Sequence, residues 1–145
     1  MSFRGNHITR IDEKNRLKLP ADFKRELPDE ARFYITSLDG KRAKLYPIKE
    51  WEKKEEQLAK MPSTNPARIK FLDVTSYYGQ EVQMDAQGRL TMPQVLRESA
   101  RLDGEVVVLG GQEVLEVMNH EDFKATMQAA PLTADDLSTL ESFGI

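Results

Sequence analysis

Ile11-Asp12-Glu13-Lys14-Asn15-Arg16-Leu17-Lys18-Leu19-Pro20 returns 73 positions later as Met84-Asp85-Ala86-Gln87-Gly88-Arg89-Leu90-Thr91-Met92-Pro93. The shared pattern is apolar-Asp-x-x-[Asn/Gly]-Arg-Leu-x-apolar-Pro, and the correspondence runs further. Phe23 and Lys24 align with Leu96 and Arg97, and Phe33-Tyr34-Ile35 with Val106-Val107-Val108. After a one-residue gap, Leu45 aligns with Val117 and Trp51 with Phe123. Chance similarity does not usually keep register and residue class over about forty positions, so the chain is a duplicated unit.

Each copy reads as strand, tight turn, strand, short helix, strand, turn, strand. Ile8–Ile11 and Arg16–Leu19 flank the loop Glu13-Lys14-Asn15 as arms of a predicted hairpin. Asn15 and Gly88 hold the last loop position, where a left-handed backbone suits those two residue types. Asp12 and Asp85 precede the loops and can accept turn N–H groups. Arg16 and Arg89 follow, which sets Asp and Arg facing each other across the turn. Pro20 and Pro93 end the second strands and suit the start of short helices over about 20–26 and 93–100. Asp39-Gly40 and Gly110-Gly111 predict the second turn of each copy, and Val106–Leu109, apolar on both faces, predicts a covered strand.

Between the copies, Ile48, Trp51, Leu58 and Met61 share one side of a predicted helix over 48–60, and Pro62 and Pro66 separate it from a second, over 65–76, that carries Ile69, Leu72 and Tyr77. The segment 130–145 has a helix start at Thr133-Ala134-Asp135-Asp136 and reads as a loosely attached helix or an acidic tail. One copy of about 45 residues is too small to enclose much core. Two copies around a pseudo-twofold axis would bury their apolar faces in common, so the expected fold is α+β, a pseudo-twofold β-barrel with linking helices.

Composition narrows the function. With 39% hydrophobic and 31% charged residues in 145, no cysteine and no long apolar run, disulfide scaffolds, thiol chemistry and membrane spans are not expected. The start, Met-Ser-Phe-Arg-Gly-Asn-His, lacks the apolar core of a signal peptide, and a cytoplasmic protein is expected. The net charge of −3 hides an asymmetry: residues 1–27 hold seven Lys/Arg and four Asp/Glu, residues 98–145 two and ten. Such a chain does not attract nucleic acid over its whole surface, but a local basic face still can; the alternative is plain solvated surface with an acidic tail.

Catalysis and metal binding are not expected, and no cofactor is implied. His7 and His120 lack metal-pair spacing, and no phosphate-cradling or nucleophile motif occurs. Asp12 and Asp85 could act as a carboxylate pair only if the turns converged, and their arginines would hold both ionised. The Asp–Arg pairs themselves read equally well as surface ion pairs or as part of a nucleic-acid site. Trp51 and Phe123 are expected to be core anchors rather than base-stacking platforms. Lys53, Lys54, Glu55 and Glu56 read as a solvated helix face, and His120 as part of a helix start.

The duplicated Asp-x-x-x-Arg turn followed by Leu-x-[Leu/Met]-Pro resembles the MraZ family, bacterial regulators built of two swapped-hairpin domains of the AbrB type. Phe3-Arg4-Gly5, Leu45-Tyr46-Pro47 with Trp51, and Asn65-Pro66 are also similar to that family, and the resemblance spans residues 3 to about 125. It implies AbrB-like domains at 6–53 and 80–123, a helical linker at 54–79, and a C-terminal helix or acidic tail at 124–145. It further implies a sequence-specific DNA-binding transcriptional regulator of the cell-division and cell-wall gene cluster. Such a protein would bind promoter direct repeats of double-stranded DNA as a homo-oligomeric ring, in the cytoplasm at the nucleoid, without a membrane or small-molecule substrate. By position the resemblance carries over Asp12, Arg16, Asp85 and Arg89; with the basic residues clustered around the first turn added, Arg16, Arg89, Lys14, Asn15, Lys18, Arg10 and Gln87 are the expected DNA contacts, and Asp12, Asp85 and Gly88 shape the turns. Arg4 is expected in the same basic cluster. Copy one departs from the family with Asn15 in place of the usual glycine, and Gln87 stands where copy one has Lys14, so the first turn is expected to grip phosphate more strongly. The alternative is an AbrB-type protein-interaction module using the acidic segment beyond Glu98, with Leu132, Leu137, Leu140 and Phe143.

Overall fold

A computed structural model describes residues 2–145; Met1, part of the N-terminal stretch read above, lies outside it. The first repeat supplies β1 (Asn6–Arg10), β2 (Arg16–Lys18), α1 (Ala21–Lys24), β3 (Arg32–Ser37) and β4 (Ala43–Pro47). Two linking helices follow, α2 (Ile48–Ala59) and α3 (Pro66–Tyr77). The second repeat supplies β5 (Gln80–Gln83), β6 (Arg89–Thr91), α4 (Gln94–Ser99), β7 (Glu105–Gly111) and β8 (Val114–Asn119), before α5 (His120–Ala129) and α6 (Ala134–Glu141).

The strands form a six-stranded antiparallel sheet, β1-β7-β8-β4-β3-β5, and a separate two-stranded ribbon, β2-β6. The duplication is visible in the register. Ile8 pairs with Val107 as Glu81 pairs with Tyr34, a match displaced by 73 in each partner. In the ribbon Arg16 faces Thr91 and Lys18 faces Arg89, so Leu17 opposite Leu90 lies on the pseudo-twofold axis. Leu17, Leu90, Leu19 and Met92 join Ile35, Leu45, Val106, Val108, Leu115 and Val117 in one buried core. The ribbon therefore lays its apolar face on the sheet and leaves the other to solvent.

Four expectations need correction. The sheet is not closed into a barrel, since no ladder joins its outermost strands β1 and β5. Both are short, with Asn6, Ile8, Arg10, Gln80, Glu81 and Gln83 exposed, and the chain leaves each of them through a tight turn into the ribbon. For the same reason Ile8–Ile11 and Arg16–Leu19 do not ladder with each other. The arms part beyond the turn, and β1 pairs with β7 while β2 pairs with β6, each from the other repeat. That exchange buries Leu17 and Leu90, which one repeat alone could not enclose.

Gly110 and Gly111 belong to β7, and the turn is Gln112-Glu113, with Gln112 at φ 66°. Gly110 is needed for space: a Cβ there would stand 2.5 Å from the Arg4 nitrogen and the Phe3 carbonyl carbon, where the N-terminal strand crosses. Finally, Ile69 and Tyr77 of α3 are exposed. That helix docks through Phe71, stacked on Trp51 at 6.2 Å, and through the Thr75 carbonyl, which accepts from Tyr34 Oη at 2.9 Å and Thr36 Oγ1 at 2.7 Å.

Trp51 is buried and also stacks on Tyr34 at 4.5 Å, fixing α2 to the sheet. Phe123 is half-buried beneath the Arg42 guanidinium. Lys53, Lys54, Glu55 and Glu56 are exposed. The C-terminal α6 begins with a reciprocal Thr133–Asp136 capping box and leaves Leu137 and Phe143 in solvent.

Candidate nucleic-acid interface

The two repeated turns are nearly superimposable in their bonding. Asp12 Oδ1 accepts from the backbone N–H groups of Lys14 and Arg16, both at 2.9 Å, while Arg16 Nε donates to Oδ2 at 3.0 Å. In the second turn Asp85 Oδ1 accepts from Gln87 at 2.9 Å and Arg89 at 2.8 Å, and Arg89 Nε donates to Oδ2 at 2.7 Å. Each carboxylate thus shapes the loop and fixes the guanidinium that follows it. Asn15 and Gly88 take the left-handed position, at φ 63° and 76°. Asn15 also donates from Nδ2 to the Met92 carbonyl at 2.6 Å, tying the first turn to the second repeat.

The backbone N–H of Arg16 and of Arg89 is the main reason that Asp12 and Asp85 are held below the usual carboxylate pKa; together with the guanidinium of the same arginine it outweighs the opposing desolvation. A depressed folded-state pKa means the turns contribute stability above the ordinary aspartate range and lose it as pH falls through the lowered values. Thermal melts at falling pH should show this loss in the wild type, and a smaller pH dependence in Asp12→Asn/Asp85→Asn. Equal pH dependence in both would place the acid-sensitive groups elsewhere.

Alternation about buried Leu17 and Leu90 puts Arg16, Lys18, Arg89 and Thr91 together on the outer face of the ribbon. Lys18 stands directly opposite Arg89, and Arg16 is on the diagonal. Like charges opposite each other disfavour a sheet, so this face is built against local stability. Lys14 and Gln87 are exposed at the two turn tips. The turns flank the ribbon, with Asn15 hydrogen-bonded to Met92 and Gly88 to Leu19. The four-residue separation of Asn15 and Leu19 sets them roughly 13 Å apart.

The two arginines are not equivalent. Each has about a quarter of its side chain exposed, 25% for Arg16 and 27% for Arg89. Arg89 Nη2 is drawn onto Gln87 Oε1 at 2.6 Å, whereas Arg16 is bonded within the protein through Nε. Arg10 lies apart, in β1 opposite Glu105. Arg4 does not join the basic cluster: it crosses Gly110 beyond the far end of β1 from Arg10, past the left-handed Gly5. One further residue, Lys24, has its aliphatic stem over Gly88; alignment of the repeats pairs it with another basic residue, Arg97, but does not place it beside the second turn.

Among the described residues no group of three or more His, Asp or Glu could hold a metal ion, and no helix is long and apolar enough to cross a membrane. His120 follows the α5 cap Asn119 and meets Glu105 at 2.5 Å, which lowers the Glu105 pKa.

A family model described as "MraZ protein, putative antitoxin-like" matches residues 2–74 and 79–142, one Asp-x-x-x-Arg turn in each stretch. A protein of Acidobacterium capsulatum is 59% identical over 145 residues, covering 99% of both chains. One from Koribacter versatilis is 55% identical over 146 residues, again 99% of both. One from Escherichia coli is 32% identical over 143 residues, 94% of each. All three bear the name Transcriptional regulator MraZ. With the family model spanning nearly the whole chain and relatives matched end to end, this protein belongs to the MraZ family.

Proposed function

We propose that this protein is a DNA-binding transcriptional regulator that reads double-stranded DNA with the outer face of the β2-β6 ribbon. The observation carrying this reading is the grouping of Arg16, Lys18 and Arg89 on one solvent face, two of them directly opposed. Cations held so close are most stable beside a polyanion. A two-stranded ribbon fits the major groove, about 12 Å wide, and the roughly 13 Å between turns places Lys14 and Gln87 near the flanking phosphates. In this reading Arg16 and Arg89 make the principal contacts, Asn15, Lys18, Lys14 and Gln87 support them, Arg10 reaches in from β1, and Asp12, Asp85 and Gly88 hold the turns in shape.

The names of the relatives support a regulatory role. We extend it to binding of direct repeats upstream of the cell-division and cell-wall genes, including the protein's own, by a homo-oligomeric ring in the cytoplasm at the nucleoid. One ribbon offers few phosphate contacts, so repeated sites on a ring would raise avidity by 10²–10⁴-fold where the spacing matches. The exposed Ile8, Leu38 and Tyr77 provide apolar surface for contacts between copies. A second reading, a protein-docking arm at the C-terminus, is favoured by the exposure of Leu132, Leu137, Phe143 and Ile145.

Fluorescence anisotropy with a duplex from upstream of the protein's own gene tests the proposal. We expect binding that exceeds that of a scrambled duplex and falls steeply with salt. Absence of binding by the intact oligomer at low salt would overturn it and leave the docking arm as the better reading.

A further inference from the structure

We propose that Lys24 completes the second turn as a DNA phosphate contact, supplying from the first repeat the cation that the second repeat lacks. This rests on the DNA-binding reading above. Where the first turn carries Lys14, the second has neutral Gln87, which is occupied with the Arg89 guanidinium at 2.6 Å. By its own residues the second turn would be the poorer anion site. Lys24, in α1 of the first repeat, lies across it.

The geometry is close. A Cβ built on Gly88 would stand 3.1 Å from Lys24 Cδ, 3.3 Å from Cε and 3.4 Å from Nζ. Gly88 is accordingly buried, although it sits in a surface turn, and Lys24 itself is exposed. The φ of 76° favours glycine at 88, and the missing side chain lets the lysine stem lie close over the turn. Neighbouring acids do not claim the ammonium: among the described residues Asp22 pairs with Arg25 and His7, and Asp85 with Arg89, while Lys24 forms no ion pair. A lysine that lays its methylenes over a turn and keeps its charge in solvent is placed to reach a phosphate beside that turn.

The first turn has a different arrangement. Asn15 carries a side chain where Gly88 has none, and its amide bonds the Met92 carbonyl and approaches Gln94 Oε1 at 3.5 Å. Arg97, the counterpart of Lys24, has a buried Nε and lines a separate cavity with Gln94, Glu98 and Arg101. The first turn therefore presents its own Lys14, and the second borrows Lys24. The two ends of the ribbon become alike in charge by different routes, which suits a ribbon that meets a phosphate backbone at both edges of one groove.

The experiment compares full-length wild type, Lys24→Met, Lys24→Gln, Lys24→Met/Gln87→Lys and, as a control on the α2 end, Lys60→Gln. Anisotropy is followed against salt concentration, with oligomeric state and melting temperature checked for each. Methionine keeps the apolar cover of Gly88 but removes the charge. We expect both single Lys24 variants to lose about 0.9 from the slope of log K against log salt, and roughly fivefold to tenfold in affinity near 0.1 M salt, for each subunit engaged. Gln87→Lys should restore most of that slope, and Lys60→Gln should match wild type. Unchanged slopes in the Lys24 variants, with wild type binding normally, would overturn this inference alone and leave Lys24 as cover for the turn. A loss in Lys24→Gln but not in Lys24→Met would do the same. No binding by wild type would instead overturn the DNA-binding reading and this inference together.

Discussion

The protein carrying Arg16→Ala and Arg89→Ala should bind its upstream duplex about 10²–10⁴-fold more weakly than wild type, with its melting temperature nearly unchanged. The affinity follows from what each guanidinium can do at a groove. With Nε on the aspartate, Arg16 keeps both Nη groups, and Arg89 keeps Nη1 and the second N–H of Nη2, for the bidentate pattern that grips guanine or phosphate; each such contact is worth about 1–3 kcal/mol of binding. Stability should change little because both pairs are only partly buried and border solvent, and because each aspartate still accepts the backbone N–H groups of its turn. Arg16→Lys/Arg89→Lys separates charge from geometry: a lysine restores the cation but cannot hold the aspartate through Nε while presenting a fork outward, so it should recover only part of the affinity. Anisotropy at two salt concentrations, with light scattering to confirm one oligomeric state, checks both variants. Equal binding by wild type and the double alanine variant would move the site off the ribbon.

The turns were legible in the sequence because their chemistry is local. An aspartate, a left-handed position and an arginine at fixed spacing specify the loop without help from the rest of the chain, and Asp12–Arg16 and Asp85–Arg89 form as that spacing implies. Strand partners were not legible from periodicity. The alternation around Leu17 says that one face is buried but not against which strand, and only the pairing of β2 with β6 places Arg16 beside Arg89. The exchange of arms was accessible only through the family resemblance. An open sheet edge has no sequence signature in a strand as short as Gln80–Gln83, so an open sheet and a closed barrel look alike in the sequence. Gly110-Gly111 resembled a turn because glycine marks both tight turns and close approaches, and here the approach of Phe3 and Arg4 explains it. Lys24 illustrates the remaining limit: a contact between a helix of one repeat and a loop 64 positions later leaves no trace in local pattern.

Truncating either leucine on the pseudo-twofold axis should have the largest effect on stability. Leu17 and Leu90 are each fully buried and directly opposed in the ribbon. Leu17→Ala or Leu90→Ala should lower stability by about 2–5 kcal/mol, since lost transfer energy adds to a cavity that relaxes only in part. For a chain of this length that is roughly 3–4 °C per kcal/mol, or about 6–20 °C in melting temperature. The two effects should agree within about 1 kcal/mol because the repeats place both side chains alike, and the double variant should depart from their sum because the two cavities merge. The functional consequence separates these positions from the rest of the core. Leu115 is equally buried but lies in the sheet, so Leu115→Ala should reduce stability similarly and leave duplex affinity intact well below its melting temperature. Leu17→Ala and Leu90→Ala loosen the ribbon itself, so they should weaken affinity at temperatures where the protein is still folded. If all three variants lost stability but bound DNA alike, the rigidity of the ribbon would be irrelevant to recognition. If Leu17→Ala and Leu90→Ala melted within a degree of wild type, the ribbon would not be part of the shared core, and the alignment of Arg16, Lys18 and Arg89 on its outer face would lose its support.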